Sequence, residues 1–186
     1  YAFYNCTSLV NINLENVKFI NEGAFENCGL TDLNFKVLNA IGNNSFKNNN
    51  LIDVTLPESS QSLGIGAFSA NAKLQSVTFK ADKIKIGSGV FTNCPNLTSI
   101  KINAAVIAAR AFEDCKALTN VTLGKDVAVI GEYAFAGTNV SKFTVEEGCA
   151  YKAENGGAVL NKNNELALVA PKATFANNKF ENATIT

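Results

Sequence analysis

The side chains that most often carry chemistry are thinly supplied in this sequence. Its 186 residues include five cysteines and no histidine. A serine or cysteine nucleophile therefore has no imidazole to take its proton. With no histidine and no Cys-x-x-Cys pair, a zinc site has nothing to build on, so no metal or other cofactor is expected. A glycine-rich phosphate loop of the Walker type is also missing. Glu146 and Glu147 are adjacent carboxylates, but neighbours on an extended chain point opposite ways, and a solvated turn is expected there. Hydrolysis by carboxylates alone needs two of them converging on one cleft. Here the acids are scattered, so no catalytic residue is assigned and the chain is read as non-enzymatic.

The cysteines lead from chemistry to architecture. Cys6, Cys28, Cys94 and Cys115 each stand three residues after a phenylalanine. Those phenylalanines belong to a longer series, Phe3, Phe25, Phe46, Phe68, Phe91, Phe112 and Phe135, spaced 21 to 23 residues apart. Such a beat is the signature of stacked repeats. Five residues before each Phe from the second onward lies Ile20, Ile41, Leu63, Ile86, Ile107 or Ile130. A glycine follows it at Gly42, Gly64, Gly87 and Gly131, with Asn21 and Ala108 as exceptions. Asn5, Asn27, Asn48 and Asn93 stand two residues after Phe, and a leucine comes a little later (Leu9, Leu30, Leu51, Leu74, Leu97, Leu118), replaced by Val140 in the last turn. Then runs an alternating pair: Ile12/Leu14, Leu33/Phe35, Val54/Leu56, Val77/Phe79, Ile100/Ile102, Val121/Leu123 and Phe143/Val145. Residues two apart on a strand share a face, so one parallel sheet is expected through all seven pairs. Short second strands are expected at the isoleucine positions.

The consensus Ile-Gly-x-x-Ala-Phe-x-x-Cys-x-x-Leu-x-x-Val-x-Leu resembles the BspA-like leucine-rich repeat family. The resemblance implies an α/β-type repeat: a right-handed solenoid of short parallel strands joined by loops or short helical turns, with a C-terminal β-hairpin. Residues 1–145 would form about seven turns of ~22 residues. Residues 146–186 would hold the divergent hairpin, Ala158-Val159-Leu160 against Leu166-Ala167-Leu168-Val169, and at Ala183-Thr184-Ile185-Thr186 the start of a further repeat or cap. One turn cannot bury its own apolar face, so stacked turns cover one another. The cysteines then read as buried thiols, with adjacent-turn disulfides as the alternative. Cys149 lies outside the column and is the thiol expected to be exposed. The glycines read as tight corners needing unusual dihedrals, and the asparagines as side chains bonding loop backbone. Asn49 and Asn71, at or next to the cysteine position of turns three and four, read as loop tolerance.

Composition narrows the partners. Sixteen basic and sixteen acidic side chains cancel, which argues against nucleic acid or an anionic membrane as a general partner. No apolar run approaches the roughly 20 residues of a membrane span. The chain opens inside a repeat and has no methionine, so we read it as a segment or processed product whose leader or anchor would lie upstream.

The outward positions of the strands are the expected binding face, on the concave side. One column is Asn13, Asn34, Thr55, Thr78, Lys101, Thr122 and Thr144; its neighbour is Asn11, Asp32, Asp53, Ser76, Ser99, Asn120 and Lys142. Acids come early and lysines late. Solubility alone would account for such small polar groups; a flat, charge-graded protein-binding surface is the sharper reading. The resemblance implies a secreted or cell-surface protein that adheres to a protein or glycoprotein partner. The alternative is a scaffold that positions a separate, enzymatic domain. Six Asn-x-Ser/Thr sequons, at Asn5, Asn43, Asn96, Asn120, Asn139 and Asn182, matter only in a eukaryotic source.

Overall fold

The computed structural model describes residues 1–154, 157–164 and 166–172. Asn182 and the segment Ala183–Thr186 lie outside the described residues. Turns are numbered here by their phenylalanine, from Phe3 (turn one) to Phe135 (turn seven).

Fourteen short strands form among the described residues, and no helix. The helical turns expected in the loops are plain hydrogen-bonded turns. The isoleucine positions build the longest ladder. Strands β1 (Phe19–Ile20), β2 (Ala40–Ile41), β4 (Ser62–Leu63), β6 (Ile84–Ile86), β8 (Ala104–Ile107) and β10 (Val129–Ile130) form one six-stranded parallel sheet. Its register links Ile20, Ile41, Leu63, Ile86, Ile107 and Ile130 in one line.

The alternating pairs form a second face, but not the single sheet expected. β3 (Asp53–Leu56) pairs with β5 (Ser76–Phe79), and β7 (Ser99–Ile102), β9 (Asn120–Leu123) and β11 (Phe143–Val145) form a separate three-stranded sheet. Within each sheet the register is as expected, Val54 opposite Val77 and Ile100 opposite Val121 opposite Phe143. Between the two the ladder opens, with Thr98 N–H reaching the Gln75 carbonyl only at 3.5 Å. In turns one and two the pairs at Ile12 and Leu33 form no strand. Asparagine explains this, since its side chain competes for backbone partners. Leu14 N–H donates to Asn34 Oδ1 at 2.8 Å, and Glu15 N–H to Asn13 Oδ1 at 3.0 Å. Later turns place threonine, a better strand former, in the same column.

Between the two faces runs the phenylalanine spine. Successive rings stack at centroid separations from 5.2 to 5.6 Å with planes within 13°. From Phe46 to Phe135 the spine is essentially closed to solvent. The corner carrying it has a regular backbone. Every residue two after Phe is left-handed, at φ from 54° to 71°, whether Asn, Ala70, Asp114 or Gly137. Every residue two before Phe from turn two onward is left-handed too, at φ from 53° to 61°. Alternating hand turns every second N–H toward the next turn, so Gly89, Phe91 and Asn93 donate to Ala109, Ala111 and Glu113 at 2.8–3.0 Å. Asparagine suits these positions because it tolerates left-handed backbone. Its amides do not bond the loop backbone as expected; they bond one another, Asn48 Nδ2 to Asn27 Oδ1 and Asn27 Nδ2 to Asn5 Oδ1.

The glycines after the isoleucines also differ from expectation. Gly42, Gly64, Gly87 and Gly131 have ordinary φ. What they supply is room: a Cβ on Gly87 would lie 2.6 Å from the Leu63 carbonyl of the preceding turn.

After β11 come β12 (Tyr151–Ala153), β13 (Ala158–Asn161) and β14 (Leu166–Val169), an antiparallel sheet containing the expected hairpin. It sits against turn six. Tyr151 Oη donates to the Ala128 carbonyl at 3.0 Å and the Cys149 thiol to the Val127 carbonyl at 3.6 Å.

Candidate functional site

All fourteen residues of the two outward columns face solvent, nine of them in strands; Ser76 and Thr122 are half-buried and the rest exposed. Strand pairing sets Asp53 beside Ser76, Thr55 beside Thr78, Ser99 beside Asn120, and Lys101, Thr122 and Thr144 in one row. Asn11, Asn13, Asp32 and Asn34 lie where strands are missing and line a shallow depression over Ile12. Three of these are committed to the fold, since Asn13, Asp32 and Asn34 accept backbone N–H groups.

The charge gradient is altered by a contact that crosses two turns. Lys101 Nζ lies 2.7 Å from Glu146 Oε1. The hydrogen bond from Lys101 holds the Glu146 carboxyl below its usual range. Glu146 is thus half of an ion pair rather than part of a solvated carboxylate turn. Asp32 accepts the Leu33 N–H, Asp53 accepts the Ser76 hydroxyl at 2.5 Å, and neither has an ion-pair partner among the described residues.

The cysteine column is a hydrogen-bonding column. Cys28, Cys94 and Cys115 are buried as expected, but each thiol donates to the phenylalanine carbonyl of the turn before, at 3.0, 3.4 and 3.1 Å. Burial raises all three thiols, Cys115 up to about 12. All five cysteines are free. The exposed one is Cys6, in the first turn, while Cys149 is half-buried against Val127.

Asn49 and Asn71 take over this role. Asn49 Nδ2 donates to the Phe25 carbonyl and Asn71 Nδ2 to the Phe46 carbonyl, both at 2.8 Å. Asn49 adds an acceptor, taking the Leu30 N–H on Oδ1 at 3.1 Å. For Asn49 the need comes from loop length. Leu74, Leu97 and Leu118 stand six residues after Phe and bond within their own turn, Leu97 to Cys94 and Leu118 to Cys115. Leu30 stands five after Phe and takes its partner from the next turn. The shortened Phe-to-Leu spacing signals the acceptor role of Asn49 alone, since Leu51 also stands five after Phe46 and Asn71 Oδ1 accepts no N–H from it; the loop-tolerance reading missed the hydrogen bond that each asparagine carries between turns.

A second exposed group lies at the corner after β8 and β10. Arg110 and Tyr133 occupy the position two before Phe, left-handed at 59° and 56°. Gly23, Asn44, Gly66 and Gly89 hold it in turns two to five. The Arg110 guanidinium lies 5.0 Å over the Tyr133 ring and also pairs with Glu113. Left-handed backbone costs a bulky residue about 1–3 kcal/mol, while an exposed cation–π pair returns about 0.5–1 kcal/mol.

Stacked turns with a phenylalanine spine and two strand faces, followed by an antiparallel sheet, define a leucine-rich-repeat β-solenoid. The chain belongs to the BspA-type leucine-rich repeat family, whose model matches six copies over residues 1–98 and 39–155. It is similar to a solved leucine-rich repeat protein from Bacteroides ovatus, at 27% identity and TM-score 0.71, over 80% of this chain and 40% of that one. A leucine-rich repeat protein from Eubacterium ventriosum shares the fold at 22% identity and TM-score 0.65, over 78% and 40%. The pneumococcal vaccine antigen PcpA does so at 24% identity and TM-score 0.50, over 85% and 36%. The chain therefore spans about two fifths of their length. No curated protein matches the sequence.

Proposed function

We propose that this chain is a non-catalytic binding module of a secreted or cell-surface protein, which adheres to a protein or glycoprotein partner. The carrying observation is the row of short polar side chains held in register on two parallel sheets, Thr55 with Thr78 and Lys101 with Thr122 and Thr144. Threonine, serine and asparagine lose little rotamer entropy when a partner orders them. Asp32 and Asp53 give the early turns a negative end. Lys142 marks the late turns, while Glu146 offsets Lys101. In this reading residues 1–145 carry the surface, and 146–186 hold the divergent β-hairpin and the start of a further repeat or cap. The surface localisation rests on family resemblance.

A photo-crosslinking residue at Thr78 or Thr122, and in a control at Ser62 or Lys85 on the six-stranded sheet, tests this against immobilised matrix and serum proteins. Adducts from Thr78 and Thr122 are expected. Adducts only from Ser62 and Lys85, or none with any protein offered, would count against it.

A further inference from the structure

We propose that the Arg110–Tyr133 corner is a second binding site, one that takes a neutral saccharide chain. The site is separate from the strand face and shares no residue with it. The backbone there is left-handed in every turn from two to seven, and hydrogen bonds from neighbouring turns impose it. Arg110 N–H donates to the Glu132 carbonyl, and the Arg110 carbonyl accepts the Thr92 hydroxyl. Glycine would sit in this backbone without strain, as it does at Gly66 and Gly89. The two bulky residues cost the fold more than their mutual contact returns, and strain of this kind gathers at binding sites.

The displayed chemistry selects the ligand. Tyr133 remains 62% exposed although the guanidinium lies over one face of its ring. A ring covered on both faces could not keep that exposure, so the other face is open. Aromatic faces attract polarised C–H groups, and the hydrogen-rich faces of sugar rings supply them. Beside the ring stand planar, two-pronged partners for vicinal hydroxyls, the guanidinium and the Glu113 carboxylate paired with it, and Glu132, exposed, precedes Tyr133 in the chain. Both signs of charge are present, which disfavours a strongly anionic polymer. The corner lies open on the surface, which suits an extended chain rather than an enclosed monosaccharide.

Affinity gels cast with neutral polysaccharides (mannan, xylan, galactan, mixed-linkage glucan) test the proposal on the 186-residue chain. Retardation by at least one polysaccharide is expected. Tyr133→Gly should weaken it at least about tenfold, the loss usual for a central aromatic contact, while melting at the same or a higher temperature because the strain is gone. Tyr133→Phe keeps the ring and should stay within about threefold of the parent. The proposal is overturned if no polysaccharide retards the chain, if Tyr133→Gly migrates as the parent does, or if it melts clearly lower. Binding of proteins alone through this corner would also overturn it, whatever the strand-face crosslinks report.

Discussion

A single buried atom distinguishes Asn49 from Asn71. Both donate to a phenylalanine carbonyl of the turn before, but Asn49 Oδ1 has the Leu30 N–H, whereas Asn71 Oδ1 is buried with no partner among the described residues. A buried polar atom left unpaired costs about 1–3 kcal/mol. Asn49→Cys keeps a donor to Phe25 and orphans Leu30 N–H, so urea melts should show a loss in that range. Asn71→Cys removes an orphan already present and should be neutral or stabilising. Equal losses would show that the acceptor plays no part. The spine gives a second contrast. Phe91 is fully buried between Phe68 and Phe112, and Phe91→Ala should cost about 3–5 kcal/mol. Phe3 stacks on one neighbour only and is exposed, so Phe3→Ala should cost clearly less in the same melts.

At the scale of elements, the thiol column links packing to pH. Burial pushes Cys28, Cys94 and Cys115 above the ordinary thiol value of 9.0. Each keeps its proton in the folded chain where the unfolded chain releases it. Their contribution is therefore whole below that ordinary value and is lost as pH rises beyond it. Urea midpoints should be level from neutral pH to the ordinary thiol value, then fall. Replacing Cys94 and Cys115 together by serine, which does not titrate there, should flatten the fall. Without denaturant a thiol reagent should label Cys6 first and leave Cys94 and Cys115 untouched. Much of this architecture was legible because position sets environment: the phenylalanine beat gave the spine, and the isoleucines gave the six-stranded register residue by residue. Less legible were features encoded by backbone rather than by side-chain type. The left-handed column before Phe holds Gly23, Asn44, Gly66, Gly89, Arg110 and Tyr133; its first four members are the usual signal for that conformation, and the last two hide it. The missing strands at Ile12 and Leu33 follow from asparagines whose competition for backbone N–H groups an alternating pattern does not reveal.

For the whole molecule, the question is which charges a partner on the strand face would feel. The sequence shows a gradient from Asp32 and Asp53 to Lys101 and Lys142, but folding brings Glu146 from two turns away onto Lys101. That contact joins residues 45 apart by number (146 − 101), beyond the reach of a reading made turn by turn. The effective pattern is an acidic early end, a neutralised middle and one basic residue, Lys142, late. Charges at the rim of an interface act mainly on association rate. For a partner captured through Thr78, Asp53→Lys should therefore change the association rate several-fold at low salt. The effect should fade toward ~0.15 M salt, where the screening length falls to about 8 Å. Lys101→Gln removes a charge already offset, frees Glu146, and should move the rate less and toward a more negative face, the opposite direction. Lys142→Glu should act in that same direction and more strongly. Folding should be nearly unchanged in all three, because these side chains are exposed and surface ion pairs contribute roughly 0–1 kcal/mol. Stopped-flow association across a salt series reads these outcomes directly. Equal and opposite effects of Asp53→Lys and Lys142→Glu would show that net charge, not its arrangement along the strands, guides the partner.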